Sequence, residues 1–265
     1  MMYPLPLNTA APGSIIDSHA HFNDSRFDGF RHELLTRMYE LGVGKIINCG
    51  TDYKNIDECL EISRKYDFCY TAIGFHPSHV PDDEDIDYGR LDSLIKSDKK
   101  IIAVGETGLD YFLRPDNKER QQEAFRKQLE LAERNNLPVI IHDRDAHADT
   151  MKILKEYSPK GVVHCFSGSV EMAEEVVKLG MYIGIGGVLT FKNSLKLKEV
   201  AAAIPLDRIL LETDAPYMAP EPFRGKTNHS ALIVFVAQKL AEIKNIPFDE
   251  VIKVTAKNTE KLFNI

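Results

Sequence analysis

Eight short apolar runs alternate with stretches of helical spacing along this chain, and that alternation limits its fold more than any single motif does. The runs are Ser14-Ile15-Ile16, Lys45-Ile46-Ile47, Cys69 to Ile73, Ile101 to Val104, Val139-Ile140-Ile141, Val162-Val163, Met181 to Ile185 and Ile209-Leu210-Leu211. They are continuous rather than interleaved with polar residues, as suits parallel strands covered on both faces. Between them the apolar positions take helical spacing, clearest at Phe125, Leu129 and Ala132 and again at Leu232, Val236 and Leu240. Those faces should pack on the sheet. A strand-helix cycle sustained eight times predicts an α/β fold of the TIM-barrel type, (β/α)8, over an open doubly wound sheet. A last helix from about Phe248 to Leu262 is expected to end the chain.

At 265 residues, 43% of them hydrophobic, the chain can bury a large core, and no shift in composition divides it. A barrel of this kind needs about 250 residues. The expected organisation is therefore one barrel domain over residues 14–265 behind an N-terminal arm, residues 1–13, whose role the sequence does not indicate. The arm lacks a positive segment followed by an apolar one, so a secretory signal is not expected. No apolar run approaches the roughly 18 residues of a membrane helix. Cys49, Cys59, Cys69 and Cys165 show no CxxC spacing. That argues against a structural zinc site or a redox pair and for free thiols in a reducing cytoplasm. A net charge of -7 argues against a broad basic face for holding nucleic acid. It does not exclude a phosphate substrate, because divalent cations can be the largest charges in a site. No GxGxxG or GxxxxGK[ST] follows the first run, which lowers the case for a nucleotide-binding fold.

Ionisable residues collect just after the apolar runs. Asp17-Ser18-His19-Ala20-His21 follows the first, His76-Pro77 the third and Gly105-Glu106-Thr107-Gly108-Leu109-Asp110 the fourth. His142-Asp143-Arg144-Asp145 follows the fifth, His164-Cys165-Phe166-Ser167 the sixth and Glu212-Thr213-Asp214 the eighth. In a barrel all these strand ends share one face, the face on which active sites are built. His19 and His21, two apart on a strand, project to the same side and can reach one ion. Imidazoles and carboxylates are ligands that zinc, manganese or iron accept. His19, His21, Glu106, His142, His164 and Asp214 could therefore hold two divalent metal ions, with the two oxygens of Glu106 bridging them. Such a pair suits hydrolysis of a phosphodiester. Asp214 is the expected water-activating base, since a carboxylate beside both metal and water can orient that water and take its proton.

A lone histidine at a strand end is more often a hydrogen-bonded polar residue than a ligand, and it is the convergence of six positions on one rim that favours the metal reading. His32, His79, His147 and His229 fall in helical or loop stretches and keep the ordinary reading. Asp17 either hydrogen-bonds a ligand or helps to end its strand, and Glu212 either supports the site or forms a structural ion pair. His76, Arg144, Arg224 and Lys226 are candidates to meet substrate phosphates, against the plain alternative of solvated side chains. Gly184, Gly186 and Gly187 allow a close approach of backbone or a bulge, and less plausibly a phosphate cradle.

At these residues the chain resembles the TatD family of metal-dependent deoxyribonucleases, within the amidohydrolase-like barrel group. The matching segments are Ile16 to His21, Gly105 to Tyr111, Leu137 to Ala146, His164 to Gly168 and Leu211 to Tyr217. Gln121 to Phe125 and Asn258 to Phe263 extend the match over nearly all of the chain after residue 13. The resemblance implies that His19, His21 and Asp214 serve one metal and His142 and His164 the other, with Glu106 between them. It implies magnesium, manganese or zinc as the cofactor and DNA as the substrate, cleaved at phosphodiester bonds from strand ends. From the sequence itself no membrane association is expected, and no obligate protein partner is evident. The sequence departs from the family after Arg224-Gly225-Lys226, where Arg-Asn-Glu-Pro is usual and Thr227-Asn228-His229-Ser230 stands here. A loop after the eighth run is expected to border the site, so this departure bears on substrate preference. The alternative is a hydrolase of the same barrel group acting on an amide, lactone or cyclic imide. Many of those bridge two metals with a modified lysine, whereas no lysine occupies a ligand position here. A further rival, a binding module that uses metal only for stability, sits poorly with a ligand set that includes a candidate base.

Overall fold

The computed structural model describes residues 10–265, so the first nine residues of the expected arm lie outside the described residues. Among the described residues, eight strands alternate with helices. They run β1 (Ile15–Ala20), α1 (Arg31–Thr36), β2 (Val43–Gly50), α2 (Tyr53–Lys65), β3 (Cys69–Ile73), α3 (Tyr88–Ser97), β4 (Ile101–Asp110), α4 (Lys118–Arg134), β5 (Val139–Arg144) and α5 (His147–Tyr157). Then come β6 (Gly161–Val163), α6 (Val170–Lys178), β7 (Tyr182–Ile185), α7 (Leu195–Ala203), β8 (Ile209–Leu211), α8 (Ile233–Lys244) and α9 (Phe248–Phe263). The strands form one parallel sheet in sequence order, β1 to β8. It nearly closes on itself through a bridge between Ala20 and Ala215, which makes the fold a TIM barrel. The seam is also fastened by backbone bonds from Asp214 N–H to His19 O and from His21 N–H to Ala215 O, 2.9 and 2.7 Å.

Single-residue alternation along the strands separates two cores. Ile47, Ala72, Ile140, Val162, Tyr182 and Leu210 point into the barrel, where Phe263 from the end of α9 joins them. Their neighbours, such as Ile46, Val139, Ile141, Val163, Ile209 and Leu211, pack outward under the helices. A strand buried on both faces explains why the runs in the sequence are continuous. Asn258 on α9 donates to the carbonyls of Leu206 and Ile209, both at 2.9 Å, and so anchors the last helix to the start of β8.

Two features differ from the sequence expectation. β1, β4 and β5 run past their apolar stretches, to Ala20, Asp110 and Arg144. Backbone pairing with the neighbouring strand continues regardless of side-chain polarity, so Asp17, His19, Glu106, Asp110 and His142 lie inside strands, whereas His21, His76, His164 and Asp214 follow theirs. The helix that carries Phe125, Leu129 and Ala132 also reaches back to Lys118, through polar residues that the apolar spacing does not mark. No helix among the described residues is long and apolar enough to cross a membrane, and all four cysteines are free.

Candidate metal centre

Strand irregularities bring the ionisable residues together. Relative to β2, the register of β1 slips between Asp17 and Ala20. Relative to β5, that of β4 slips between Val104 and Thr107. Each slip is an extra residue in the strand, a bulge that re-aims its side chain. The first bulge spans His19 and the second spans Glu106. Beyond β8, Asp214 has φ 54°, a left-handed conformation that Asp tolerates better than most residues.

Glu106, buried, stands at the middle. Its Oε2 lies 3.4 Å from Nε2 of both His19 and His21. Its Oε1 lies 2.8 Å from Nδ1 of His142 and 2.8 Å from Nε2 of His164. Asp214 Oδ1 is 3.5 Å from Nε2 of His19 and 3.3 Å from Nε2 of His21. The structure thus brings all six sequence-predicted side chains into one cluster, with Glu106 facing both halves. The rings of His19 and His164 stack at 3.9 Å and 9°, and the Nε2 atoms of His19 and His21 are 3.0 Å apart.

Imidazole nitrogens and carboxylate oxygens converging this tightly fit a cation. His19, Glu106 and His164, and separately His19, His21 and Asp214, bring one donor atom each within 4.8 Å of one another. The charge balance without a cation is uneven. Burial, reinforced by His164, pushes His19 down to about 4. Burial also disfavours charged His21, yet hydrogen bonds to Asp214 and Glu106 outweigh it and carry His21 up to about 10. Burial is likewise overcome at His142, which Asp110 and Glu106 raise to about 9. Glu106 is held well below the usual carboxylate range, the surrounding histidines outweighing the cost of burial. Asp214 is lowered too, by His21 and its neighbours against its own burial.

His76, expected to reach substrate phosphate, is placed inside the cluster rather than on its lip. It is buried, with Nε2 3.6 Å from Glu106 Oε1 and its ring 4.3 Å from that of His142. Nδ1 of His76 accepts from Ser78 N–H at 3.1 Å, and burial holds the ring down at about 3. Arg144, Arg224 and Lys226 are exposed, the first at the end of β5 and the other two on the segment that follows β8. Asp110, given no role from sequence, is the group that reasoning missed. Its Oδ2 lies 2.9 Å from Nε2 of His142, while Oδ1 accepts from the N–H groups of Phe112 and Leu113 at 3.0 and 2.7 Å. With His76 and His142 it forms a further group of potential ligands.

Asp17 does not hydrogen-bond a ligand side chain. It accepts from His19 N–H, Thr213 N–H and Thr213 Oγ1, which stitches β1 to the segment after β8. Glu212 stands behind His164, its Oε1 3.8 Å from Nδ1 of that ring and accepting from Cys165 N–H at 2.5 Å. Burial pushes Glu212 up to about 8. The glycines of β7 and just beyond make room. A Cβ at Gly184 would overlap Glu212 Oε2, and one at Gly187 would overlap the carbonyl of Met218. In the loop after β8, His229 is fully buried at the entry to a 3-10 turn over residues 230–232. Beside it, Asn228 Nδ2 donates to the carbonyls of Thr213 and Tyr217 at 2.9 and 2.8 Å and so props the turn carrying Asp214.

The profile of the family described as TatD related DNase matches residues 16–264. The chain is 41% identical over 254 residues to an "uncharacterized metal-dependent hydrolase YabD" of Bacillus subtilis, covering 95% of this chain and 99% of that protein. It is 32% identical over 260 residues to a protein of Erwinia tasmaniensis named "3'-5' ssDNA/RNA exonuclease TatD", covering 95% and 100%. The crystal structure of the TatD homologue YjjV from Escherichia coli superposes with a TM-score of 0.90 at 38% identity, covering 96% of this chain and 99% of that one.

Proposed function

This chain belongs to the family of TatD-related DNases, metal-dependent hydrolases, and from that membership we propose that it cleaves phosphodiester bonds in DNA, working from a strand end. The observation that carries the proposal is the cluster itself, four histidines and Asp214 arranged around Glu106 at the ends of barrel strands. His19, His21 and Asp214 would hold one divalent cation, His142 and His164 a second, and Glu106 both, with zinc, manganese or magnesium as the ion. Cations bound there supply Lewis acidity for the phosphate and its attacking water.

The chain's own groups account for the rest. Asp214 is ionised at neutral pH because its neighbours hold it low, so it is in the form that accepts a proton. Its side chain retains 15% exposure, so water can reach it, whereas Glu106 is sealed at 4%. This difference favours Asp214 as the base and a holding role for Glu106. Arg144, Arg224 and Lys226, exposed on the same face, neutralise phosphates farther along the strand. An amide- or lactone-cleaving enzyme is less favoured, because Glu106 occupies the central position where those enzymes carry a lysine.

End-labelled single-stranded DNA incubated with the protein and manganese, magnesium or zinc should shorten from one end. Asp214→Ala is expected to slow this by about a hundred-fold or more. Intact DNA across all these ions, alongside turnover of a lactone or amide, would overturn the proposal.

A further inference from the structure

Large apolar side chains exposed to water are concentrated on one end of the barrel. Among the described residues Tyr39, Phe112, Leu113, Leu195 and Tyr217 are the exposed large hydrophobics. Phe112, Leu113 and Tyr217 lie between the end of a strand and the helix after it, and Leu195 opens α7, which places all but Tyr39 toward the face that carries the metal centre. Such a concentration marks a binding surface rather than scattered exposure.

Two of these residues are aromatic rings that flank the centre. Phe112, 58% exposed, follows β4 by two residues, and its N–H is pinned by Asp110, whose other oxygen meets His142. Arg144 lies over the Phe112 ring, 3.9 Å from its centroid. Across the centre, Tyr217, 40% exposed, follows Asp214 by three residues. Its ring sits 6.3 Å from that of His21. Arg26 lies over it at 4.1 Å, and its hydroxyl donates to Asp24 at 3.0 Å. Both rings are therefore fixed in orientation and each carries a guanidinium on one face. They stand on opposite lips, one beyond β4 and β5, the other beyond β1 and β8.

We propose that Phe112 and Tyr217, with Arg144 and Arg26 upon them, form two stacking platforms that take the unpaired bases on either side of the scissile phosphate. The inference rests on the nuclease reading above and adds to it the residues that recognise the nucleobases. Free rings and guanidinium planes stack on bases of any identity, and the cations meet the adjoining phosphates. Bases held in a duplex present only their edges, so both platforms need a strand whose terminal bases are splayed apart. The platforms select unpaired ends and do not select sequence.

The test compares an ordinary single-stranded oligonucleotide with one of the same length whose terminal three sugars lack bases, the phosphates being unchanged. For the unmodified protein loaded with manganese, the missing bases should raise KM about ten-fold or more, the scale of one stacked base. In Phe112→Ala and in Tyr217→Ala that ratio should fall to about three-fold or less, and it should return in Phe112→Trp and Tyr217→Phe. Because each ratio is internal to one variant, partial loss of folded protein does not alter it. Equal KM values for the two strands with the unmodified protein would overturn the platforms while leaving the nuclease reading standing. So would a ratio unaffected by both alanine variants. Failure to cut either strand would overturn the nuclease reading, and the platforms with it.

Discussion

At the residue scale, the six central side chains were legible because they follow apolar runs, and strand ends in a barrel converge whatever the intervening sequence. Asp110 was not legible in the same way. Its partnership with His142 depends on β4 meeting β5 in a register where Gly108 faces His142 and Asp110 faces Arg144, and nothing local in the sequence sets that register. Its side chain orients the His142 ring through Nε2, as carboxylates commonly orient ligating histidines. Asp110→Asn should therefore weaken metal binding about ten- to a hundred-fold, measured by competition with a fluorescent chelator. Unchanged affinity would remove that role. His147, away from the centre, makes a different point. Its hydrogen bond with Asp143, 2.6 Å, raises it above its ordinary 6.5. A raised histidine stabilises the fold fully below the unfolded value and loses that contribution as pH climbs through the folded one. The urea midpoint of the unmodified protein should exceed that of His147→Gln most clearly at about pH 6, with the gap narrowing above 6.5. A gap that widens with pH would contradict the sign.

At the element scale, the order and number of strands and helices could be read from periodicity, whereas the lengths of β1, β4 and β5 could not. Polar residues look like a strand's end to any pattern based on apolarity, yet here they are the strand's continuation. The bulges were equally hidden, since an extra residue is visible only against a partner strand. β7 shows what the elements require of one another. Gly184 lies against Glu212 Oε2 and 3.0 Å from His164 Cα, judged by where a Cβ would fall. A methyl there must displace Glu212 from its bond with Cys165. Gly184→Ala is expected to cost about 1–3 kcal/mol, the usual range for overpacking a core, and denaturant unfolding will report it. A neutral result would mean that β7 yields more easily than its packing indicates.

At the scale of the whole molecule, the barrel is closed by a thin seam. β1 meets β8 and the segment just beyond it through one bridge, a few backbone bonds, the Ser18–Leu211 hydrogen bond and the Asp17–Thr213 contact. The candidate ligands His19 and His21 stand on one side of that seam and Asp214 on the other. A cation bound among them would clasp the first strand to the last, and a ligand that binds only the folded state stabilises it by about 2.7 kcal/mol at a hundred times its Kd. Saturating manganese or zinc should raise the thermal midpoint over the chelated protein, and Asp214→Ala should blunt that gain. An identical gain in the variant would place the cation elsewhere. The seam also sets a timetable. A ribosome releases His19 and His21 first, Glu106, His142 and His164 in turn, and Asp214 last of the six, 195 positions after His19. Until that final carboxylate emerges, the growing polypeptide has no proposed base and no second wall for its first cation. The proposed set of ligands and base is therefore complete only once Asp214 has joined the other five.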